Sequence, residues 1–192
     1  AYPEAVQDLI RLAGDPESAP MVNATAMFLL QNYQDPSVIS ILRKGLSDPD
    51  PLVRFAAVSA LHTADENTLL ELAVPMLNDS VRLIRTSAAF QLSRIPPQYL
   101  GKAAARQLNR VLEEYIRTQM INADHPSAHM NLGILSLNLG DYEGAESSYK
   151  KAIEIEPAFN TAYVNLADLY RGMDRDREGE VLLREAIERG PD

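Results

Sequence analysis

Two histidines stand close enough together in the sequence to suggest a metal site. His125 and His129 are four residues apart, and Asp124 precedes the first of them. Two imidazoles at this spacing can share one face of a helix and bind Zn²⁺ if further ligands are present. Pro126, however, is a typical first residue of a helix, which would leave His125 outside it. The sequence therefore favours packing and capping roles for these histidines, and it predicts neither a metal ion nor a cofactor.

No other group of residues has the composition of a catalytic centre. The chain contains no cysteine, which excludes disulfides, thiol catalysis and covalent haem attachment within it. It has no nucleophile elbow and no phosphate-binding glycine loop. Acidic neighbours such as Glu113 with Glu114, or Asp174 with Asp176, fit solvated helix faces and turns better than general acid–base catalysis. We therefore expect a protein that binds a partner and is not an enzyme.

The charge of the chain restricts the class of partner. The 192 residues carry a formal net charge of −9, shared almost evenly between the two halves. Nucleic-acid binding requires several cations on one face, and neither half has an excess of them. No apolar run reaches the ~20 residues of a membrane-spanning helix. Protein or peptide partners fit this composition, and no nucleic acid and no membrane insertion are expected.

The first half of the sequence repeats itself at a fixed interval. The stretch LSDPDPLVRFAAVSAL at 46–61 is followed by LNDSVRLIRTSAAFQL at 77–92. Fixed-period similarity of this kind indicates a solenoid of stacked helix pairs. The two copies share an acidic and a basic position at the same separation, namely Asp48 and Arg54, and Asp79 and Arg85. An earlier copy is degenerate: Asp and Arg are missing there, and Glu17 and Asn23 stand in their places.

Turn signals and apolar spacing divide each repeat into two helices. Asp followed by Pro, as at Asp50, supplies a cap and a first helical residue, and Asp79-Ser80 is expected to open another helix. Pro75 should kink the fifth helix. Ala57 and Ala88 lie in apolar stripes, where small side chains let neighbouring helices approach closely. The predicted helices span 3–13, 20–32, 36–46, 51–63, 66–78 and 80–94.

These residues resemble HEAT repeats of the short variety, and residues 1–98 are predicted to form a HEAT-like repeat domain. The resemblance implies that the repeated Asp caps the second helix of its pair and that the repeated Arg reaches an adjacent repeat. One long amphipathic helix is predicted at 100–122, within a connecting segment of residues 99–124.

A second and slightly longer period begins at Pro126. The phrases AHMNLGILSLNLGDYEGAESSYKKAIEIEP and AYVNLADLYRGMDRDREGEVLLREAIERGP share their small, aromatic and proline positions, and His129 aligns with Tyr163. The pattern resembles the tetratricopeptide repeat (TPR), with departures at Asp174 and Gly179, where the family prefers Gly and Ala. The expected helices lie at 126–139, 142–155, 160–172 and 176–189. Residues 125–192 are predicted to form a TPR domain of two repeats, and we expect it to be truncated.

The TPR resemblance implies that ligands contact the first helix of each repeat. The positions where some members clamp a carboxylate hold Met130 and Ile134, which speaks against that mode, but Asn131 and Asn165 offer amide groups to a peptide backbone. The predicted peptide-binding groove comprises Met130, Asn131, Ile134, Asn138, Thr161, Val164, Asn165, Asp168 and Arg171. No catalytic, cofactor or metal residues are predicted.

The sequence as a whole predicts an all-α protein, an α-solenoid in which a long helix joins a HEAT-like array to a TPR array. The expected function is a non-enzymatic repeat scaffold for protein or peptide binding. Weak self-association is expected through the last helix, which carries Leu182, Leu183, Ala186 and Ile187. The order of modules also resembles the C-terminal half of bacterial multihaem cytochrome-c-like proteins, which implies a periplasmic partner-docking module. A third hypothesis, a bilin-lyase-like HEAT-repeat enzyme, is the least favoured.

Overall fold

The computed structural model describes residues 3–33 and 36–189, and all the regular secondary structure of these residues is helical. The all-α fold is confirmed, and the helix pairs stack as in an α-solenoid. The predicted and observed bounds agree closely in most helices. The α-helices are α1 Pro3–Gly14, α2 Pro20–Leu30, α3 Pro36–Gly45, α4 Pro51–Ala60, α5 Glu66–Met76, α6 Arg82–Leu92, α7 Lys102–Ile121, α8 Pro126–Asn138, α9 Tyr142–Ile155, α10 Asn160–Gly172 and α11 Asp176–Arg189. Short 3₁₀ turns cover Leu61–Thr63 and Pro97–Tyr99.

The chain forms two compact units, Ala1–Glu113 and Glu114–Asp192. The first unit contains α1 to α6 and the first part of α7, and the second contains the end of α7 and α8 to α11. The long helix expected at 100–122 is present as α7, which is 20 residues long. It passes through the boundary between the units.

The sequence period of the first unit is also a period of structure. Helices α2, α4 and α6 begin at equal intervals along the chain, and α1, α3 and α5 end at that same interval. Helix α4 packs against both α2 and α6. Ala57 of α4 and Ala88 of α6 are fully buried in this stack, beside Leu61 and Leu92. The predicted role of the alanine positions, where helices touch, is confirmed.

Carboxylates cap α4 and α5, but the repeated Asp48 and Asp79 are not the caps that the resemblance implied, because each accepts an N–H in the turn before its helix. Asp50 accepts the N–H of Leu52 at 2.8 Å, and Asp65 caps α5 in the same way. Helix α6, however, begins at Arg82 and not at Ser80. The reason is that the Asp79 carboxylate accepts the N–H of Val81, at 2.8 Å, and so folds the preceding turn without entering the helix.

Pro75 lies at the end of the fifth helix, and not in its interior, where a kink was predicted. Helix α5 ends at Met76 and does not continue to residue 78, so Pro75 lies in its last turn. A proline lacks the N–H that would bond one turn back, and here that loss falls where the helix stops. Pro75 therefore marks the end of α5 and does not divide it.

An arginine links consecutive repeats, as the resemblance implied. Nε and Nη2 of Arg54 donate to the Asp79 carboxylate at 2.8 and 3.2 Å, and Nη1 donates to the carbonyls of Asp48 and Pro49. Both side chains of this pair are largely buried, 15% and 7% exposed. Burial by itself would raise the pKa of Asp79, but the hydrogen bonds from Arg54 and Val81 hold that pKa below its ordinary value.

The second unit consists of two helix hairpins that cross at small residues. A Cβ atom at Gly133 would overlap the ring of Tyr149, and one at Gly179 would stand 3.2 Å from the Ala167 carbonyl oxygen. The hairpin turn of the first repeat uses Gly140 at φ 77°, and the second repeat has Asp174 at φ 58° in the same place. Asp tolerates this left-handed conformation better than most residues, so the departure from the family pattern keeps the turn.

Replacing Ala57 by Leu should destabilise the first unit. The site is fully buried against neighbouring helices, so the added carbons displace packed atoms and cost ~1–3 kcal/mol. Urea denaturation followed by circular dichroism measures the change. Ala103→Leu, at an exposed position of α7, is the matched control and should leave the midpoint almost unchanged. Equal midpoints for Ala57→Leu and the native chain would contradict the packing described here.

Candidate peptide-binding groove

The predicted groove residues of α10 form an exposed stripe along the helix. Thr161, Val164, Asp168 and Arg171 follow one another at steps of three or four residues, which places them on one face. All four are exposed, and Val164 shows 48% of its surface. The stripe therefore offers one apolar side chain between polar ones.

The predicted groove residues of α8 lie deeper. Met130 is buried in the hydrophobic core of the second unit, and Ile134 is half-buried against that core. Asn131 is half-buried and donates to Gln119 Oε1 of α7 at 3.2 Å, and Asn138 is half-buried as well. Asn165 of α10 places Nδ2 3.6 Å from the Met130 sulfur. Met130 and Asn165 thus join the two helices, and the exposed stripe of α10 stands beside them.

The charged residues of the stripe are paired with each other. Arg171 Nη2 lies 2.9 Å from Asp168 Oδ1, and the two side chains are 73% and 56% exposed. Exposed pairs of this kind contribute little to stability. Both groups can therefore exchange this contact for one with a ligand at low energetic cost.

His125 and His129 have different environments. His129 Nε2 lies 2.9 Å from the carbonyl oxygen of Ala123, six residues earlier, and the Tyr163 hydroxyl donates to the carbonyl of Pro157 over the same separation. The packing role predicted from this alignment is confirmed for His129. His125 is the residue before α8 and is exposed, and its side chain makes no capping hydrogen bond, so the predicted capping role is wrong for His125. Across residues 3–33 and 36–189, no cluster of three or more potential ligands could hold a metal ion.

A partly buried ionic network, not foreseen from the sequence, connects the two TPR-like hairpins. Glu146 of α9 accepts hydrogen bonds from Arg175 Nη1 at 2.7 Å, from Lys150 Nζ at 2.6 Å and from the Tyr170 hydroxyl at 2.9 Å. The Arg175 guanidinium lies 4.1 Å from the centre of the Tyr170 ring and also binds Glu178. These donors, Arg175 first, lower the pKa of Glu146 to about 2. The network stabilises the junction between the repeats.

An apolar cavity lies beside this network, on the side of α9 and α11. It measures about 460 Å³, and its walls include Ile153, Tyr163, Leu166, Val181 and Leu182. The sequence alone does not reveal this cavity, because the same residues fit the ordinary core positions of the repeats. It is a second surface of this unit with the size and apolarity of a binding site.

No helix in the described ranges combines the length and the apolarity needed to cross a bilayer.

Comparisons with known proteins support both repeat types. Residues 17–93 match the family model described as HEAT repeats, and residues 126–159 match the one described as tetratricopeptide repeat. The human protein O-mannosyl-transferase TMTC3 is 32% identical over 110 residues, which cover 48% of this chain. The chain spans only 12% of the length of that relative.

Two crystal structures of MamA are also similar, at 22% and 20% identity and TM-scores of 0.37 and 0.38. The similarity covers 88% and 97% of this chain and 87% and 92% of those chains. None of the matches supports the resemblance to multihaem cytochromes or to bilin lyases. Proteins built from these two repeats are generally scaffolds without catalytic activity, and this chain is a repeat scaffold for protein binding.

The Glu146 network should make the stability of the second unit sensitive to acid. Because its pKa falls from 4.5 to about 2 in the folded state, Glu146 contributes its full stabilisation above pH 4.5 and loses it as the pH falls towards 2. The difference in urea midpoint between the native chain and Glu146→Gln should therefore shrink over that range.

The control for this experiment is Glu143→Gln on the same helix. Glu143 is exposed and has no ion-pair partner within the described residues. Its substitution should leave the pH dependence unchanged. A Glu146→Gln chain that keeps the native acid dependence would exclude the network as its source.

Proposed function

We propose that this repeat scaffold binds a protein segment along α10, with the exposed stripe of Thr161, Val164, Asp168 and Arg171 as the contact surface. The observation that carries the proposal is the exposure of Val164 among polar residues that make few other contacts. Solenoids present extended concave surfaces to ligands, and the resemblance to tetratricopeptide repeats implies that the first helix of each repeat, here α10, lines that surface. The segment bound there would be a short amphipathic one.

The chemistry of the stripe defines what such a segment must offer. An apolar side chain would cover Val164 and the half-buried Ile134 of α8. An acidic side chain would pair with Arg171, and a donor such as Lys or a backbone N–H would meet Asp168. Since binding energy concentrates in a few central contacts, the apolar anchor at Val164 should matter most.

The test compares two valines on different surfaces of the same unit. Peptides selected from a random library on the immobilised chain are measured by calorimetry against Val164→Glu and Val181→Glu. Val181 is 65% exposed and lines the cavity of α9 and α11. We expect Val164→Glu to weaken binding by tenfold or more, about 1.4 kcal/mol, because a carboxylate replaces the apolar contact. Val181→Glu should leave the affinity within about twofold.

The reverse result would contradict the proposed location of the peptide site. If Val181→Glu abolishes binding while Val164→Glu does not, the α9–α11 cavity is the peptide site and the stripe is not. Circular dichroism of both variants checks that each remains helical.

The last helix is expected to mediate weak self-association. Leu183 and Ile187 of α11 stand one turn apart and are 40% and 79% exposed, an arrangement that favours contact between copies. Light scattering at high concentration should give a mean mass above the 21.3 kDa of one chain. Ile187→Glu should lower the mean mass to that of a single chain. Val22→Glu, at an exposed apolar position of α2, should leave the mean mass as high as in the native chain. A native chain that keeps the mass of a monomer at high concentration contradicts the expectation.

The narrower setting, a bacterial periplasm with a haem-bearing neighbour, rests on the order of the two modules alone. The complete gene tests it, because a secretion leader and several Cys-x-x-Cys-His motifs would have to accompany this chain.

A further inference from the structure

The first unit contains a second cavity, between the first two repeats and far in sequence from the stripe of α10. It measures about 590 Å³ and its walls are largely prolines and Val53. Its polar lining consists of Ser18 and Asn23 from the first repeat, and Asp48 and Asp50 from the second. The cavity lies where the turn before α2 faces the turn before α4.

The period of the first unit explains why a cavity occurs at this place. Asn23 occupies in α2 the position that Arg54 occupies in α4, and Asp48 occupies the position of Asp79. Between the second and third repeats, the Arg54 guanidinium reaches across and binds the Asp79 carboxylate with two hydrogen bonds. Between the first and second repeats the shorter Asn23 stands in place of arginine, and Asp48 receives no such cation from the described part of the chain.

The groups left in the cavity are hydrogen-bond acceptors. Asn23 is 8% exposed; its Nδ2 donates to the Asp15 carbonyl at 3.0 Å, while its Oδ1 is buried without a partner among the described residues. Asp48 Oδ1 accepts the Asp50 N–H, and Asp50 Oδ1 accepts the Leu52 N–H, each at 2.8 Å. Both carboxylates keep further acceptor capacity.

The neighbouring arginine does not meet this demand. Arg54 donates to the Asp79 carboxylate and to the carbonyls of Asp48 and Pro49, but to neither carboxylate of the cavity. An unpartnered amide oxygen that is more than nine-tenths buried is costly. Together with two carboxylates, it calls for a cation that carries several N–H donors.

We propose that this cavity is a binding site for an arginine side chain of a partner protein. The bound guanidinium would donate to the Asp48 carboxylate, and so repeat at the first junction the contact that Arg54 makes at the second; a displacement of the Asn23 side chain that exposes its buried Oδ1 would let the same guanidinium donate to that atom. A planar guanidinium suits this role better than an ammonium because its donors diverge in a fixed fork. The prolines around the rim would contact the aliphatic part of the side chain. The site is independent of the stripe on α10.

The test uses Nα-acetyl-L-arginine methylamide as the probe and the neutral, equally shaped citrulline compound as its control. Two-dimensional NMR of the whole ¹⁵N-labelled chain follows the Asn23 side-chain amide and the Asp50 backbone amide during titration. The arginine probe should shift both signals saturably, and the citrulline probe should shift them at least tenfold less at equal concentration.

Substitutions in the cavity provide the second arm. Asp48→Asn keeps an oxygen to accept the Asp50 N–H but removes the charge, and it should weaken probe binding at least tenfold. Asp65→Asn, which changes the cap of α5 outside the cavity, should leave binding unchanged. Asn23→Arg should place the missing guanidinium in the cavity, abolish probe binding and raise the urea midpoint.

Several results would overturn the proposal. These are equal shifts with the citrulline probe, no shifts with the arginine probe up to tens of millimolar, or undiminished binding to Asp48→Asn. If Asn23→Arg does not fold, the Asp48→Asn and Asp65→Asn pair still decides. Val164→Glu should bind the probe as the native chain does, so failure of the stripe and failure of this site are distinguishable.

Discussion

A helix pair in this protein cannot bury its apolar face by itself, and the rest of the structure follows from the close approach of one pair to the next. That approach requires small side chains at fixed intervals. Ala57 and Ala88 meet the requirement between pairs in the first unit. In the second unit Gly133 meets the same requirement within a helix pair, where the ring of Tyr149 occupies the space of a Cβ atom. Because each junction needs its small residue at the same register, the spacing of these residues appears as the two periods of the sequence.

Each unit adds an ionic contact at its junctions, though the two units do so differently. In the first unit, the Arg54 guanidinium donates to the Asp79 carboxylate of the next repeat and to the Asp48 carbonyl in the turn of its own repeat. In the second, Glu146 collects donors from Lys150, Tyr170 and Arg175. Both contacts are partly buried, where screening is weak and removal of one partner leaves a costly charge. Apolar packing alone would allow one repeat to shift against the next. These two ionic contacts fix the register between the repeats.

The sequence predicted what depends on periodicity and missed what depends on tertiary neighbours. Helix positions and the burial of Ala57 followed from repeats aligned with one another, and the reach of Arg54 followed from the resemblance to HEAT repeats. The predicted start of α6 was wrong because the Asp79 carboxylate accepts a hydrogen bond from Val81 in the turn before the helix. The Glu146 network was missed because its members, spread over α9, α10, α11 and the turn that holds Arg175, have no common spacing. The deep position of Met130 depends on how α8 meets α10, which a single helix pattern does not contain.

Two departures from the repeat pattern have different physical consequences. One leaves the local structure unchanged, and the other leaves a buried polar atom without a partner. Asp174 replaces a glycine but keeps the left-handed turn, so the fold absorbs the change. Asn23 replaces an arginine and leaves its own amide oxygen buried without a partner among the described residues, next to carboxylates of the kind that the next junction neutralises. A chain that used this position only for stability would gain from arginine there, since the same contact is made one repeat later. The cost of the unpartnered oxygen therefore favours a ligand at the first junction of the array, where no arginine of the described residues takes the place that Arg54 fills at the second junction.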